Sequence, residues 1–427
     1  MLFSDADCAL LLELLELPTV SPLETAEEPR LWQAQRRYAR AAEDLGFRVL
    51  HHGPPDPGVL DRDDVPETVR SAGPGFLDAQ PSLLLRRGPE LPRSETVMFN
   101  VHLDTVAGLE PVALRDGSFT GRGAIDAKGP AVALLSGIRD ALPALGEDVS
   151  VLLQVVSGEE GGAMGTYGTR PLVEQGHVGR LNICCEPTGL RYLPRSTASM
   201  TARVRVDGQG SIDDRPDAGH NATALLGFLA QHLASRLDTT DRPGRLCVAG
   251  LRTGDLHNRV YGSGQLLLNL SYATTAEGAA AEKALQRAVE DGVAEFRERF
   301  AGSREFARTA RDAAAITHLD WVKRGLPCLD DADPWAEGLL ERAGAARWPD
   351  DEPSFTCDAI WLHDLPGCFT AVLGPGRLDT NHAHADGEHA DRAELEEFAA
   401  VVSALLTEFA RHRTGEEHDA PDHHDVP

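Results

Sequence analysis

Short runs of apolar β-formers recur along the first half of the chain with helical patterns between them, and this alternation limits the fold more than any other feature. Strand patterns fall at residues 48–51, 82–85, 96–103, 149–156 and 181–185, and helix patterns at 5–17, 28–45 and 128–142. This order predicts an α/β layer with a mixed, mostly parallel sheet. Residues 53–80, rich in Pro, Gly and Asp, read as a surface loop or insertion. The chain has 427 residues, too many for one compact core, so a further unit is expected.

The pattern changes near Thr197. In TASMTARVRVDG, Met200, Ala202, Val204 and Val206 alternate with Thr201, Arg203 and Arg205, which describes a sheet with one wet face. A helix at 222–236, strands at 246–251 and 265–273, a long helix at 277–300 and a strand near 313–322 complete a βαββαβ order. That order predicts a small α+β domain inserted into the larger one. The α/β pattern resumes with a strand at 368–373 and a closing helix at 393–412. The expected division is a catalytic domain of residues 1–195 and 323–412, an inserted domain of 196–322, and a polar, disordered tail of 413–427.

Composition narrows the partners. A formal net charge of −26 argues against nucleic acid and anionic membranes. Seven scattered cysteines, an odd number with no CxxC pair, read as reduced thiols of a cytoplasmic protein. The N-terminal MLFSDADCALLLELLEL has no basic segment and is interrupted by acids, so it reads as an amphipathic helix and not a signal peptide. No stretch reaches about 18 uncharged apolar residues, the length a membrane span needs.

Five places put metal-ligand side chains at or just beyond the end of an apolar strand, where open α/β sheets build their sites. In VMFNVHLDTV, His102 and Asp104 are two residues apart on a strand and share a face, so the carboxylate can fix the imidazole tautomer while the other ring nitrogen binds a metal. A buried carboxylate there costs several kcal/mol, of order, unless it is paired. In GRGAIDAKGP, Asp126 lies in a Gly-rich turn before a helix, where a helix cap is the plain alternative. In SGEEGG, the adjacent Glu159 and Glu160 suit either a solvated turn or a ligand beside a general base. NICCEPTG supplies Glu186, and NHAHADGEH supplies His382, His384 and His389 close to Glu388, of which one or two would be ligands. Two imidazoles and several carboxylates, with no cysteine required, suit a two-metal hydrolytic site.

The ordered motifs HLDTV, GRGAIDAKG, GEEGG, EPTG and AHADGE resemble the di-zinc amidohydrolase and exopeptidase family that includes acetylornithine deacetylase, succinyl-diaminopimelate desuccinylase, aminoacylase and glutamate carboxypeptidase. The resemblance spans nearly the whole chain. It implies two Zn²⁺ ions, with Co²⁺ or Mn²⁺ able to use the same ligands. His102 and Glu186 would hold one ion, Glu160 and His384 the other, and Asp126 would bridge them. Glu159 would be the general base and Asp104 would orient His102. The expected reaction is hydrolysis of the amide bond of an N-acyl amino acid or small peptide-like compound, in a homodimer formed through the inserted lid domain.

Two positions depart from the family pattern. Relatives carry a histidine at the turn in DGQGSIDDRPDAGHNA, where it stabilises the oxyanion; this chain has Ile212 there. Losing such a donor costs on the order of 3 kcal/mol. In QLLLNLSYATT, Ser271 stands where relatives have a carboxylate-binding arginine. Asn258 matches the family's Asn-rich turn, with His257 and Arg259 beside it, and His220 or His257 is expected to supply the missing donor. The alternatives are amide formation or acyl transfer in a specialised biosynthetic pathway, or a metal-binding homologue without activity. The retained Glu159 speaks against the last, because a structural metal needs no spare base.

Overall fold

The computed structural model describes residues 2–108, 110–238 and 244–412, so the expected disordered tail lies outside the described residues. Its contacts divide the chain into two units. The first comprises Met1–Arg62, Val69–Ser196 and Leu329–Pro427; the second comprises Asp63–Thr68 and Thr197–Cys328.

The first unit is built on a six-stranded sheet in the order Arg48–Gly53, Ser82–Arg87, Ser150–Val156, Thr96–His102, Leu181–Cys184, Phe369–Val372. The pairings on the Arg48–Gly53 side are antiparallel, and the three that follow are parallel. The expected mixed, mostly parallel sheet is what the chain forms. Every residue of Thr96–His102 and of Ser150–Val156 is buried, because layers cover both sheet faces and near-continuous apolar runs are needed there. Alternation along the strand then sorts side chains: Val97, Phe99 and Val101 join the core that holds Leu11, Ile138, Leu395 and Phe398, whereas Met98 packs with Leu84, Leu152 and Leu362 on the other face. Helices Asp5–Leu15, Lys128–Leu145 and Arg392–His412 supply the first of these layers. Each fully buried side chain of this kind contributes about 1.5–3 kcal/mol relative to exposure.

Parallel register decides where the chemistry goes. His102 stands opposite Val156, and Asn100 opposite Cys184. The polar residues that follow each of these three strands therefore leave the sheet at one edge.

Residues 53–80 are not the plain surface loop their composition suggests. They contain helices Glu67–Ala72 and Pro74–Leu77, and bury Val65, Val69 and Leu77. Three well-spaced apolar anchors suffice to order a segment whose average composition is polar. Asp63–Thr68 belongs with the second unit, where Glu67 pairs with Arg203 at 3.2 Å.

The second unit has a four-stranded antiparallel sheet in the order Leu246–Arg252, Ser263–Tyr272, Ala198–Asp207, Thr317–Lys323. Met200, Ala202, Val204 and Val206 are buried, and Thr201, Arg203 and Arg205 are partly exposed, so the wet face lies where the alternation put it. Helices Ala222–Leu237 and Thr275–Phe300 contribute Leu225, Leu229, Leu285 and Phe296 to the buried side. Thr274 and Glu277 form a reciprocal capping box at the start of the long helix, which fixes its first turn. The strand expected from residue 313 begins only at Thr317, because ARTARDAAAI, rich in alanine, forms the helix Ala307–Ile316. Residues 323–328, expected in the catalytic domain, also group with this unit: Tyr272 donates its hydroxyl to the Leu326 carbonyl at 2.8 Å, and Cys328 N–H reaches Thr275 Oγ1 at 3.3 Å.

Candidate metal centre

The first unit brings His102, Asp126, Glu159, Glu160, Glu186 and His384 together at the edge where the parallel strands end. Ligand atoms of His102, Asp126 and Glu186 lie within 4.8 Å of one another, as do those of Asp126, Glu160 and His384. Asp126 belongs to both triads. Its Oδ1 is 2.9 Å from His102 Nε2, and its Oδ2 is 3.0 Å from His384 Nε2. Glu186 Oε1 is 3.6 Å from His102 Nε2, and Glu160 Oε1 is 2.9 Å from His384 Nε2. A third group joins Glu159 to His102 and Glu160.

Each side chain is set by its own backbone. His102 closes its strand, and its Nδ1 is 2.9 Å from the Asp104 carbonyl. The expected partner, the Asp104 carboxylate, lies farther off, at 3.7 Å. Asp104 uses that carboxylate elsewhere: Oδ2 accepts the N–H groups of Gly158 and Glu160, both at 3.0 Å, and so ties the end of the His102 strand to the SGEEGG loop. The carbonyl at Nδ1 selects the tautomer with hydrogen on that atom, which leaves a lone pair on Nε2. That lone pair faces carboxylate oxygens of Asp126 and Glu186. Lone pairs so opposed require a positive centre between them, either a proton or a metal ion.

The electrostatics say the same. Burial pushes Glu159 well above the usual carboxylate range, and Glu160 and Glu186 push it the same way. Burial likewise raises Glu186, and raises Glu160 to about 7. Burial would also raise Asp126, but its bonds to His102 and His384 outweigh that and hold it below its ordinary value. Hydrogen bonds donated to Asp126 and Glu160 lift His384 to about 10. Four carboxylates crowded around two imidazoles form an excess of negative charge, and oxygen and imidazole donors sharing one bridging carboxylate fit a pair of divalent cations.

Glu388, only noted as a neighbour in the sequence, has a definite task. It is 1% exposed; its Oε1 accepts the N–H groups of Ile125 (3.1 Å) and Asp126 (3.3 Å), and its Oε2 accepts from Arg122 Nη1 at 2.7 Å. It therefore clamps the turn that presents Asp126. Glu388→Ala is expected to lower stability by about 3–5 kcal/mol, because it leaves the Arg122 guanidinium without its counter-charge and two backbone donors unpaired in the interior; a denaturant midpoint measures it. Lys128, two residues past Asp126, is also buried and donates to the Leu17 carbonyl at 3.0 Å.

The other candidates lie in the second unit. His220 is buried there and fully engaged: Nδ1 accepts the Gln209 N–H at 2.8 Å, and Nε2 faces Asp312 at 3.1 Å. A ring with both nitrogens committed has no proton left for an oxyanion, so the expectation that it replaces the missing donor fails on geometry. His257, Asn258 and Arg259 are exposed, in a turn pinned by the Leu256 N–H bond to Tyr261 Oη at 2.8 Å. Ile212 is 53% exposed and stands opposite Arg259 in a two-residue ladder. Both line a cleft of about 660 Å³ with Arg215 and Tyr261. Ser271 Oγ accepts the Arg245 N–H at 3.0 Å, so its hydroxyl caps a neighbouring strand.

Known proteins share parts of this sequence and its fold. A protein of Aeropyrum pernix, provisionally named LysW-lysine/LysW-ornithine hydrolase, is 31% identical over 207 residues, which is 47% of this chain and 54% of that protein. The match thus spans about half the length of that curated relative. A tripeptidase from Staphylococcus aureus superposes with a TM-score of 0.71 at 13% identity, covering 95% of this chain and 98% of that one. The Bacillus subtilis YXEP protein, described as a dinuclear metal-binding peptidase, superposes with a TM-score of 0.62 at 12% identity, covering 95% and 97%. The sequence pattern of peptidase family M20/M25/M40 runs from residue 98 in the His102 strand to residue 408 in the closing helix, so the chain belongs to that family.

Proposed function

We propose that the protein is a metal-dependent amidohydrolase that cleaves the amide bond of an N-acyl amino acid or a small peptide-like substrate. The observation that carries this is one carboxylate, Asp126, shared by two ligand triads with a further acid, Glu159, beside them. His102 and Glu186 would hold one ion, Glu160 and His384 the other, and Asp126 both. Zinc suits this donor set, and cobalt or manganese would use the same atoms. Bound there, the cations would acidify a water molecule and polarise the substrate carbonyl.

The chain's own residues do the rest. Glu159, crowded by Glu160 and Glu186, has the raised proton affinity that a base needs to take a proton from water and pass it to the departing amine. Asp104 holds the Glu159–Glu160 loop through two backbone N–H groups, and its carbonyl fixes the His102 tautomer. Relatives named as a LysW-lysine/LysW-ornithine hydrolase and a tripeptidase support a substrate derived from amino acids.

The test is release of free amine from a panel of N-acyl amino acids and dipeptides, before and after chelation. Turnover that ceases on chelation and returns with added metal supports the reading; turnover indifferent to chelation overturns it. With added amines, a new amide in preference to the free acid would move the assignment to acyl transfer. A homodimer through the second unit is also proposed. Its edge strand Leu246–Arg252 exposes Val248 (43%) and Leu251 (46%), surface that a second copy would cover. Sedimentation as a monomer at micromolar concentration would overturn that.

A further inference from the structure

A second set of buried polar side chains underlies the loop that carries Glu159 and Glu160, and neither the ligand triads nor the base use it. Asp358 begins the short helical turn Asp358–Leu362 and is 1% exposed. Its Oδ2 accepts a hydrogen bond from the Thr169 hydroxyl. Its Oδ1 is buried with no hydrogen-bond partner among the described residues and lies against the backbone of Gly165, where an added Cβ would come within 2.3 Å of it. Gly165 also adopts φ +62°, so no other residue serves there well. From the same turn, Trp361 Nε1–H donates to the Met164 carbonyl at 2.6 Å. The turn therefore grips residues 164 and 165 together, and Gly165 N–H in turn donates to the Gly158 carbonyl at 2.7 Å, next to Glu159.

The other end of the set reaches the sheet. The Thr169 hydroxyl accepts from Asn100 Nδ2 at 2.9 Å, and Asn100 Nδ2 also donates to Gln154 Oε1 at 2.9 Å. Asn100 lies two residues before His102 on the same strand and so points to the same face. Hydrogen bonds from Asn100 through Thr169 to Asp358, and the packing of Asp358 on Gly165, thus join the His102 strand to the far side of the Glu159–Glu160 loop.

We propose that Asp358 is a positioning residue of the metal centre: through Gly165, Thr169 and Asn100 it sets the Glu159–Glu160 loop against the His102 strand, and it governs the triad of Asp126, Glu160 and His384 more than the triad of His102, Asp126 and Glu186. This rests on the two-metal reading above. The asymmetry follows from attachment. Glu160 belongs to the gripped loop, whereas Glu186 and Asp126 come from other segments, and Asp126 has its own clamp in Glu388. Burial raises the Asp358 carboxyl to about 8, and asparagine keeps its shape and an acceptor oxygen for the Thr169 hydroxyl.

The experiment titrates the full chain, stripped of metal, with Co²⁺, following heat and visible absorption. His384→Ala and Glu186→Ala identify which step belongs to which triad. The wild type should take up two equivalents. Asp358→Ala should weaken the step that needs Glu160 and His384 by about 10- to 100-fold, as loss of a supporting contact around a metal does, and leave the other step within about threefold. Asp358→Asn should restore it. Thr169→Val, which cuts the same line elsewhere, should reproduce the selective loss and carries the test if Asp358→Ala does not fold. Two unchanged steps in Asp358→Ala and Thr169→Val, or equal weakening of both steps with a lowered thermal midpoint, would overturn the proposal. Failure of the wild type to bind cobalt would instead overturn the metal reading itself, which separates the two failures.

Discussion

Replacing Glu159 by glutamine is expected to reduce turnover of whatever substrate the panel identifies by about 10²- to 10⁴-fold, the usual contribution of a general base. The substitution keeps the shape and the hydrogen-bonding reach of the side chain but removes its capacity to take a proton. Because Glu159 lies beside the two triads and belongs to neither, both ions should still bind, and KM should change little. The measurement is steady-state kinetics together with metal content on the same preparation. Unchanged turnover in the presence of a full metal complement would remove Glu159 from the reaction. A loss of turnover with loss of metal would make it a ligand.

The second large effect should come from Asp126→Ala. One carboxylate faces both imidazoles, at 2.9 and 3.0 Å, so its removal strips a ligand from each triad at once. Metal uptake should fall below one equivalent, and turnover should fall to background. Stability should respond in a way that depends on metal. A ligand present at 100 to 1,000 times its Kd stabilises the folded state by about 2.7 to 4.1 kcal/mol per site. Adding Zn²⁺ should therefore raise the melting temperature of the wild type and leave that of Asp126→Ala nearly unmoved. In the absence of metal the variant should be somewhat less stable than the wild type, since it loses the hydrogen bonds of Asp126 to His102 and His384 that hold its carboxylate ionised. An equal response to Zn²⁺ in both proteins would refute the bridging role.

The candidate ligand positions stood out in the sequence where they break a strong local rule. A carboxylate or imidazole at or just past the end of a buried apolar strand is costly, and His102, Glu159, Glu160 and Glu186 all stand there, whereas Asp126 and His384 lie in turns. The residues that hold the ligands in place left no such mark. Asp358 sits between a cysteine and AIWL, in a segment with no strand or helix period, and its meaning comes from Gly165 and Thr169, nearly two hundred residues earlier in sequence. Glu388 was visible as a neighbour of three histidines, but its hold on the Asp126 turn is a contact across 262 residues. His220 stood in a segment that matched the family well, and only packing revealed that both its nitrogens are spent. The fold was legible where period was strong, as in the alternation from Met200 to Val206. It was misread where composition outweighed spacing, as in residues 53–80, and where a helix-forming run of alanines abutted a strand.

The grip of Glu388 on the Asp126 turn has a consequence for biosynthesis. The Asp126 turn leaves the ribosome long before Glu388 and His384 do, and Thr197–Cys328 of the second unit is made in between. Until those last segments arrive, the half-made centre offers at most one complete set of donors on an unclamped turn. On the proposed two-metal reading, loading of the second ion would be a closing event in the life of the nascent chain, and a polypeptide cut short before residue 384 would be unable to trap the pair.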